Sequence, residues 1–343
     1  MKTIKDVARL SGVSLTTVSR VINGSEKVSK KTKDKVDQAI RELGYFPNNA
    51  ARSLVKKQTD SIAVLLRNIH DPFFCDLIRG IEEASLELGR NVIFCSLGKD
   101  EKIRDRYIEY LTNGISDAIV LYGSLFSDKA MIEHLHRVQF PLLLVENNFQ
   151  TLPLNQFLID NVTGARDAVF YLIRHGHKRI AHVMGNPNKK VILERFSGYT
   201  EAMQENGLTI QSSYIQNTLN NSVLSLPQFQ EMMKAPNRPT AVFCSDDKIA
   251  IQVINALGDL GFSVPGDVSV VGFDNLKSYD HSYRGPRITS VQQPLYEIGH
   301  DSIVSLDRIL KGEESGLISK CYKTTLAEHD TVGIWHEGEG VDL

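Results

Sequence analysis

The 343-residue sequence predicts two parts of different fold class: an all-α helix-turn-helix head and an α/β body of two doubly wound subdomains. Near the start, two short helical patterns flank a glycine. From Ser61 onward, apolar runs typical of buried strands alternate with helical stretches. Residues 1–60 hold 13 Lys or Arg against 6 Asp or Glu, and the remainder holds 26 against 35. A basic head on an acidic body favours a polyanion-binding module joined to a second module.

The sequence of the head predicts three helices. A capping signal precedes each of them, and a glycine follows the first and the third. The first covers residues 3–11, the second begins at residue 15, and the third covers about residues 29–43. The side chains that can cap a helix start are Thr3 with Asp6, Ser14 and Ser29. The glycines that can end a helix are Gly12 and Gly44. Helix, glycine turn and helix within about twenty residues is the helix-turn-helix pattern.

The second helix carries a polar face. Its members are Thr16, Ser19, Arg20 and Asn23. Arg can bond the O6 and N7 atoms of guanine together, and Thr or Asn can bond a base or a phosphate. Most polar helix faces of this kind simply face solvent and have no binding role. The absence of acidic residues from this face, and its place in the basic head, favour DNA contact.

A short fourth helix is predicted over residues 49–55, after a proline that stops the third. It has too few residues to be stable alone in water. Ala51 and Leu54 have nothing local to bury them. Leu54 fits a wedge into a minor-groove base step, with Arg52 on a nearby phosphate. A simple linker is an equally good interpretation of this stretch.

The body contains seven apolar runs that predict parallel strands: SIAVLL, NVIFCSL, DAIVLYG, PLLLVE, RIAHVMG, TAVFCS and VSVVGF. Acidic residues follow several strand-like segments directly, at Asp71, Glu146, Asp160, Asp246 and Asp274. In open parallel sheets, ligands bind beyond the carboxyl ends of strands. Carboxylates there suit the vicinal hydroxyls of a sugar, with Arg195 as a further donor. Each acid alone is more simply a helix N-cap, so the prediction rests on the set.

Other functional classes receive little support. The four cysteines lack metal or redox spacing, which favours free thiols in a reducing cytosol. The N-terminal stretch lacks the apolar core of a signal peptide, and no apolar run is long enough for a bilayer, so we expect a cytoplasmic protein. His175 and His177 are explained better by a helix-end turn than by a metal. Without a phosphate loop, nucleophile elbow or zinc-protease motif, we expect neither an enzyme nor a cofactor.

Residues 3–57 resemble the DNA-binding domain and hinge of the lactose-repressor/galactose-repressor family. The matching text is TIKDVARLSGVSLTTVSRVING, then VSKKTKDKVDQAIRELGYFPNNAARSL. The resemblance implies a DNA-binding domain over residues 1–46 and a hinge helix and linker over residues 47–60. It also implies a homodimer with two recognition helices on a near-palindromic DNA operator. Positions implied to contact DNA through the resemblance are Leu15, Thr16, Arg20 and Leu54. Many relatives have a polar or aromatic residue in place of Leu15, so the operator half-site cannot be copied from one of them.

Residues 61 to about 310 resemble the same family's effector-binding and dimerisation domain, which is similar to periplasmic sugar-binding proteins. We expect this domain to cover residues 61–343, although the tail departs from the family's pattern. The matches include DPFF, IDNVTGARDAV, RFSGYTEAM, RPTAVFCSDDKIA and VPGDVSVVGFDN. The resemblance implies two subdomains with chain crossovers near residues 160, 290 and 320. It implies ligand contacts at Asp71, Phe74, Glu146, Asp160, Arg195, Asp246 and Asp274. An aromatic residue that relatives often carry near position 220 is absent, and Tyr122 or Phe74 is the alternative stacking residue.

Together these features predict a ligand-responsive, sequence-specific DNA-binding transcription regulator. The favoured version is a repressor of carbohydrate uptake or catabolism genes with a sugar or sugar-derived effector. A purine or another non-sugar corepressor is the alternative. A small-molecule binding protein without a DNA role is a more remote one. The sequence does not predict whether the ligand releases the protein from DNA or recruits it.

Overall fold

The structure is a computed structural model, and its secondary structure is described for most of the chain. The described residues are 2–22, 25, 27–46, 58–98, 100–123, 126–146, 152–187, 189–218, 223–277 and 283–336. The chain forms two compact units, Met1–Thr59 and Asp60–Leu343. The predicted fourth helix, together with Asn23, Ala51, Arg52 and Leu54, lies outside the described residues.

The described part of the head contains three helices, which are α1 Ile4–Ser11, α2 Leu15–Ile22 and α3 Lys30–Leu43. Their predicted caps are confirmed. The backbone N–H of Thr3 donates to the Asp6 carboxylate at 2.9 Å. Ser14 Oγ accepts from the N–H of Thr17 at 3.1 Å. Ser29 Oγ caps the start of α3, and the left-handed residues Gly12 and Gly44 end α1 and α3.

One small apolar core holds the three helices of the head together. Its buried members are Val7, Val18, Val21, Val36 and Ala39. They come from the apolar faces that helical spacing predicts for α1, α2 and α3. Thr16, Ser19 and Arg20, the described members of the polar face of α2, are not part of this core.

The body contains two six-stranded sheets, with strands numbered in chain order. The first sheet has β1 Ser61–Leu66, β2 Asn91–Ser96, β3 Ala118–Tyr122, β4 Leu142–Val145, β5 Asn155–Ile159 and β11 Ser319–Tyr322, in the order β11-β5-β4-β3-β1-β2. The second has β6 Ile180–Met184, β7 Ile215–Asn217, β8 Ala241–Cys244, β9 Ser269–Phe273, β10 Thr289–Gln292 and β12 Thr325–Ala327, in the order β12-β10-β9-β8-β6-β7. All pairings are parallel except that of β10 with β12.

Helices accompany the strands of both sheets. They are α4 Cys75–Leu88, α5 Glu101–Thr112, α6 Lys129–Arg137, α7 Asn161–Arg174, α8 Lys190–Glu205, α9 Leu226–Lys234, α10 Asp247–Asp259 and α11 Leu295–Lys311. Because β1, β3, β4, β6, β8 and β9 are buried along their whole length, their sequences read as continuous apolar runs. The predicted fold class is therefore confirmed.

The chain passes between the two sheets three times. It leaves the first sheet after β5, returns to it after β10, and crosses again between β11 and β12. The carboxyl ends of strands from both sheets therefore border the same region of the body. Within the described residues, no helix combines the length and apolar composition that a membrane span needs.

Candidate ligand cavity and DNA-binding face

A cavity of about 270 Å³ lies where strand ends of the two sheets meet. Its polar lining comprises Arg67, Asn68, Asp71, Glu146, Lys189, Arg195, Asp246, Lys248, Asp274 and Gln293. Its other lining residues are Phe73, Phe74, Tyr122, Gly123, Val191 and Ile192. Parallel strands direct their carboxyl ends to one edge, which brings these distant residues together.

Seven of the eight predicted effector-binding residues line this cavity, and Asp160 does not. Asp160 caps α7, since its Oδ1 accepts from the N–H of Thr163 at 3.0 Å. It borders a separate cavity of about 180 Å³ that also contacts Glu146 and Glu194. The capping role that any one acid at a strand end can have is the role that Asp160 has here.

Arg195 is held by contacts on several sides. Its Nε donates to Asn161 Oδ1 at 3.0 Å, and its Nη1 donates to the Ser245 carbonyl at 2.6 Å. Nη1 also lies 3.4 Å from Asp274 Oδ1. The guanidinium carbon lies 3.6 Å from the centre of the Phe273 ring, and the residue is only 5% exposed. The cavity therefore contains a fixed positive charge.

Glu146 is a buried carboxyl directly after β4. Its Oε1 accepts from the N–H of Ile159 at 2.8 Å, and its Oε2 accepts from Asn161 Nδ2 at 3.1 Å. Burial raises the pKa of Glu146 to about 7, although the charge of Arg195 acts in the opposite direction. Since Asn161 bonds both Glu146 and Arg195, it connects a group of the first sheet to a group on α8.

Asp274 occupies the corresponding place after β9. Its Oδ1 accepts from Gln293 Nε2 at 2.6 Å. Burial raises the pKa of Asp274 to about 7, against the opposing charge of Arg195. Asp274 and Glu146 have φ values of 108° and 55°, in the region where residues other than glycine are uncommon. Backbone strain of this kind clusters at functional sites.

Asp71 and Asp246 each use one oxygen to start a helix. Asp246 Oδ1 accepts from the N–H of Ile249 at 2.8 Å at the start of α10. Asp71 Oδ1 accepts from the N–H of Phe73 at 3.2 Å, and its Oδ2 forms an ion pair with Lys248. The two predicted roles, helix cap and cavity wall, therefore coincide at both residues.

Asp247 is fully buried outside the cavity lining. It accepts from Ser290 Oγ at 2.6 Å and from the N–H of Leu276 at 2.8 Å. Gly272 faces it so closely that a Cβ there would lie 2.0 Å from Asp247 Oδ1. Asp247 thus joins α10 to the ends of β9 and β10, and it helps position the strand end that carries Asp274.

Three aromatic rings form one wall of the cavity. Ring centres are 5.0 Å apart for Phe73 and Phe74, 5.8 Å for Phe73 and Tyr122, and 5.2 Å for Phe74 and Tyr122. All three pairs meet edge to face. Phe74 and Tyr122 are each only 6% exposed, whereas Phe73 is partly exposed. Phe73 is therefore the better candidate for contact with a ligand.

Sequence reasoning missed several polar residues of the site. They are Arg67, Asn68, Lys189, Lys248 and Gln293, all in the lining. Lys248 follows the acidic pair after β8, so it lies within text that carries the resemblance. Asn161, the amide directly after Asp160, lies behind the lining and bonds Glu146 and Arg195.

Among the described residues, no group of three or more His, Cys, Asp or Glu side chains is placed to hold a metal ion. His177 lies buried just after α7, with its ring nitrogens 3.0 Å from Thr240 Oγ1 and 2.9 Å from Ser269 Oγ. Burial lowers the pKa of His177 to about 4. His177 is thus a neutral, hydrogen-bonded core residue, and all four cysteines are free thiols.

The predicted DNA-binding face of α2 lies on the surface of the head. Thr16 and Arg20 are exposed, Ser19 is partly buried, and Leu15 is 44% exposed despite its apolar side chain. Five exposed lysines lie near the start of α3: Lys27, Lys30, Lys31, Lys33 and Lys35. Short or forked polar side chains beside a lysine cluster match the separation of base reading from phosphate contact.

Residues 3–48 match the family described as bacterial regulatory proteins, lacI family. Residues 59–320 match the periplasmic binding proteins and sugar binding domain of the LacI family. The HTH-type transcriptional repressor CytR of Escherichia coli (strain K12) is 33% identical over 315 residues, covering 92% of this chain and 91% of the relative.

Two solved structures are similar over nearly the whole chain. One is the Lac repressor dimer bound to operator and the anti-inducer ONPF, with a TM-score of 0.84, 25% identity, and coverage of 97% of this chain and 99% of that chain. The other is the complex of the transcriptional regulator CelR with cellobiose, with a TM-score of 0.72, 28% identity, and coverage of 96% and 100%.

Proposed function

Because this chain belongs to the lacI family of bacterial regulatory proteins, we propose that it is a repressor whose effector is a sugar or sugar derivative. Ligand-responsive control of DNA binding is the activity that the family and its described members share. The cavity between the two sheets is the proposed effector site. A homodimer working in the cytoplasm on a near-palindromic operator is the proposed assembly, by analogy with the operator-bound Lac repressor dimer.

The observation that carries the effector proposal is the convergence of four carboxylates and one fixed guanidinium. Asp71 and Glu146 come from the first sheet, and Arg195, Asp246 and Asp274 come from the second subdomain. A sugar hydroxyl both donates and accepts, so a ring of hydroxyls can donate to the carboxylates and accept from the guanidinium. A volume of about 270 Å³ lies near the small end of ligand pockets, which favours a monosaccharide-sized ligand or portion of one.

The aromatic wall is what a purine ligand would use, and its geometry favours the sugar. A base needs an open ring face for stacking. Phe74 and Tyr122 cover each other edge to face and are each 6% exposed, so Phe73 alone offers an accessible ring.

Binding rather than catalysis is the proposed role of the acidic cluster. Asp247 and Ser290, which bond each other at 2.6 Å, are both fully buried. A substrate has no access to that pair. The acids that line the cavity serve as helix caps or bond arginine, lysine and amide groups.

Calorimetric titration of the full chain with pentoses, hexoses, disaccharides, their phosphates, purine bases and nucleosides tests the effector proposal. We expect a sugar to bind. Asp274→Asn should lower its affinity by about 10- to 100-fold, because that factor corresponds to the free energy of one hydrogen bond to a charged group. Asp259→Asn, at the exposed end of α10, is the matched control and should bind like the parent. Purine binding with every sugar silent would overturn the proposal.

For the DNA side, we propose that α2 reads bases through Leu15, Thr16, Ser19 and Arg20. Asn23, Ala51, Arg52 and Leu54 are proposed contacts outside the described residues. Selection of sites from randomised duplexes should return a near-palindrome with two half-sites. Leu54→Ala should weaken binding to that site. Unchanged affinity and selectivity in this variant would contradict the minor-groove wedge.

A further inference from the structure

We propose that two ion pairs, Asp71–Lys248 and Asp76–Lys277, form a latch that holds the body closed around its cavity before any effector binds. These four residues are called the latch. The latch goes beyond the proposed function, because it acts on the two subdomains whatever the effector is. It makes closure a property of the protein that the effector adjusts, and it makes that closure sensitive to salt.

The two residues of each latch pair lie on opposite subdomains. Asp71 follows β1, and Asp76 lies in the first turn of α4, so both belong to the first sheet's side. Lys248 lies in the first turn of α10 after β8, and Lys277 follows β9, so both belong to the second sheet's side. Each pair therefore joins one subdomain to the other without a covalent connection, unlike the three chain crossings.

The contacts of the latch are direct. Lys248 Nζ bonds Asp71 Oδ2, and Lys277 Nζ lies 2.5 Å from Asp76 Oδ2. Asp76 also has a neighbour on its own helix, since Arg79 Nη2 lies 3.3 Å from its Oδ1. Arg79 therefore occupies the oxygen that Lys277 does not use. Closure gives both carboxylates a cation from the opposite subdomain.

The exposure of the latch explains why it can open. The lysine side chains are 51% and 60% exposed, and the aspartate side chains are 20% and 26% exposed. Ion pairs this exposed contribute modestly and are screened by salt. Two such pairs bias the body toward closure, yet they still let the subdomains separate and admit a ligand.

The two pairs have different relations to the cavity. Asp71 and Lys248 line it, so a ligand that bonds Asp71 competes with Lys248. Asp76 and Lys277 do not line it, so their pair acts on closure alone. An effector shifts a two-state equilibrium only by its differential affinity for the two states. Asp76 and Lys277, the outer pair, therefore help to set the fraction of closed molecules before the effector binds.

The outer pair allows a test that leaves the cavity lining intact. Hydrogen exchange is measured on the full-length, effector-free chain at residues 67–74 and 245–250, which border the cavity. Lys277→Asp and Asp76→Lys each place like charges opposite one another, and we expect about two- to fivefold faster exchange there, as half-exposed pairs imply. The double variant, with both charges exchanged, should return to the parent rate. Sodium chloride at about 0.5 M should speed exchange in the parent and the double variant more than in either single variant.

The matched control is an ion pair of similar exposure within one subdomain. Lys320 of β11 and Asp301 of α11 form such a pair, with Nζ 2.6 Å from Oδ2 and side chains 52% and 33% exposed. Lys320→Asp should leave exchange around the cavity at the parent rate. The milder Lys277→Gln should give an intermediate rate, which guards against a folding defect in the reversed variants. Parent-like exchange in both single variants, or a double variant as fast as they are, would overturn the latch.

Discussion

The head and the cavity place their functional side chains in opposite environments. Leu15, Thr16 and Arg20 lie exposed on α2, within six consecutive positions, and none belongs to the apolar core of the head. Glu146 and Arg195 are 8% and 5% exposed, and the cavity lining comes from positions between 67 and 293. A surface face can change without disturbing the fold around it, whereas a buried polar network cannot. Recognition and stability are therefore separable in the head and linked in the body.

The largest expected effect is that of Arg195→Ala on the body. The change leaves Asp274 and Asn161 Oδ1 without their buried cation, and removing one partner of a buried pair costs about 3–5 kcal/mol. Urea denaturation measures this free energy. Arg308→Ala removes a half-exposed arginine paired with Glu314 at 2.9 Å, and it should cost less than about 1 kcal/mol. Equal losses in the two variants would break the distinction between buried and surface charge.

The next effect is the pH dependence of stability. Burial raises the folded-state pKa of Glu146 and Asp274 to about 7, from 4.5 and 3.8. Their stabilising contribution is therefore full below about pH 4 and is lost as pH rises through 7. Relative to the parent, the double variant Glu146→Gln, Asp274→Asn should gain stability between pH 5 and pH 8, on the order of 5 kcal/mol for the two groups together. Urea denaturation at both pH values measures the gain.

Two buried histidines give the free energy of unfolding the opposite pH dependence, in the parent and in the double variant alike. Burial lowers the pKa of His177 and His182 to about 4, so their contribution is present above pH 6.5 and is lost as pH falls toward 4. This loss is common to the parent and the double variant and cancels in the difference between them. A difference that stays constant from pH 5 to pH 8 would show that the two carboxyls do not carry raised pKa values.

A smaller effect, confined to recognition, is expected for Arg20→Ala in the head. Loss of a bidentate base contact costs about 1–3 kcal/mol in discrimination between bases. Stability should stay within about 0.5 kcal/mol of the parent, because Arg20 is exposed. Site selection from randomised duplexes measures the discrimination. Arg9→Ala removes the same charge from α1, and it should weaken binding without relaxing selectivity. If Arg20→Ala destabilised the head and left base selectivity intact, it would contradict the separation of recognition from stability in the head.

The smallest effect is that of Ser14→Ala on the head. The variant loses the cap on α2, which is worth about 1 kcal/mol. Hydrogen exchange of the α2 amides measures the loss, and exchange in the body should not change. Ser11→Ala is the control, since Ser11 Oγ donates back to the Val7 carbonyl at 2.7 Å and caps no helix start. Equal effects of the two variants on α2 exchange would contradict the role of Ser14 as the N-cap of α2.

Much of the head was predictable from sequence because its signals are local. Ser14 and Ser29 cap helices within three residues of themselves, and Gly44 ends α3 at the next position. The central strands of the body were predictable for a similar reason, since a strand buried on both faces is a continuous apolar run. The strands β5, β7, β10, β11 and β12 were not among the seven predicted runs. They are three to five residues long and carry polar residues.

The cavity was predictable only as a set of strand-end acids. Asp160 and Asp246 both follow strands and both cap helices, yet Asp246 alone of the two lines the proposed effector cavity. Sequence does not separate them, because the edge geometry of two sheets decides which acid faces which space. Asn161 is similar, since its partners Glu146 and Arg195 lie 15 and 34 positions away. Only the fold brings such partners into contact.

The backbone of Glu146 and Asp274 has a consequence for how this protein can change over generations. Both residues hold a left-handed φ that glycine adopts without strain, and both bury a carboxyl that resists ionisation. Glycine would relieve the strain at either position, but it would also remove a carboxyl that buried groups contact: Arg195 at Asp274, and Asn161 and the Ile159 N–H at Glu146. Laboratory selection for heat resistance alone would therefore keep both acids for as long as these partners stay in place. Heritable change at either site is expected only together with change at the groups that contact it.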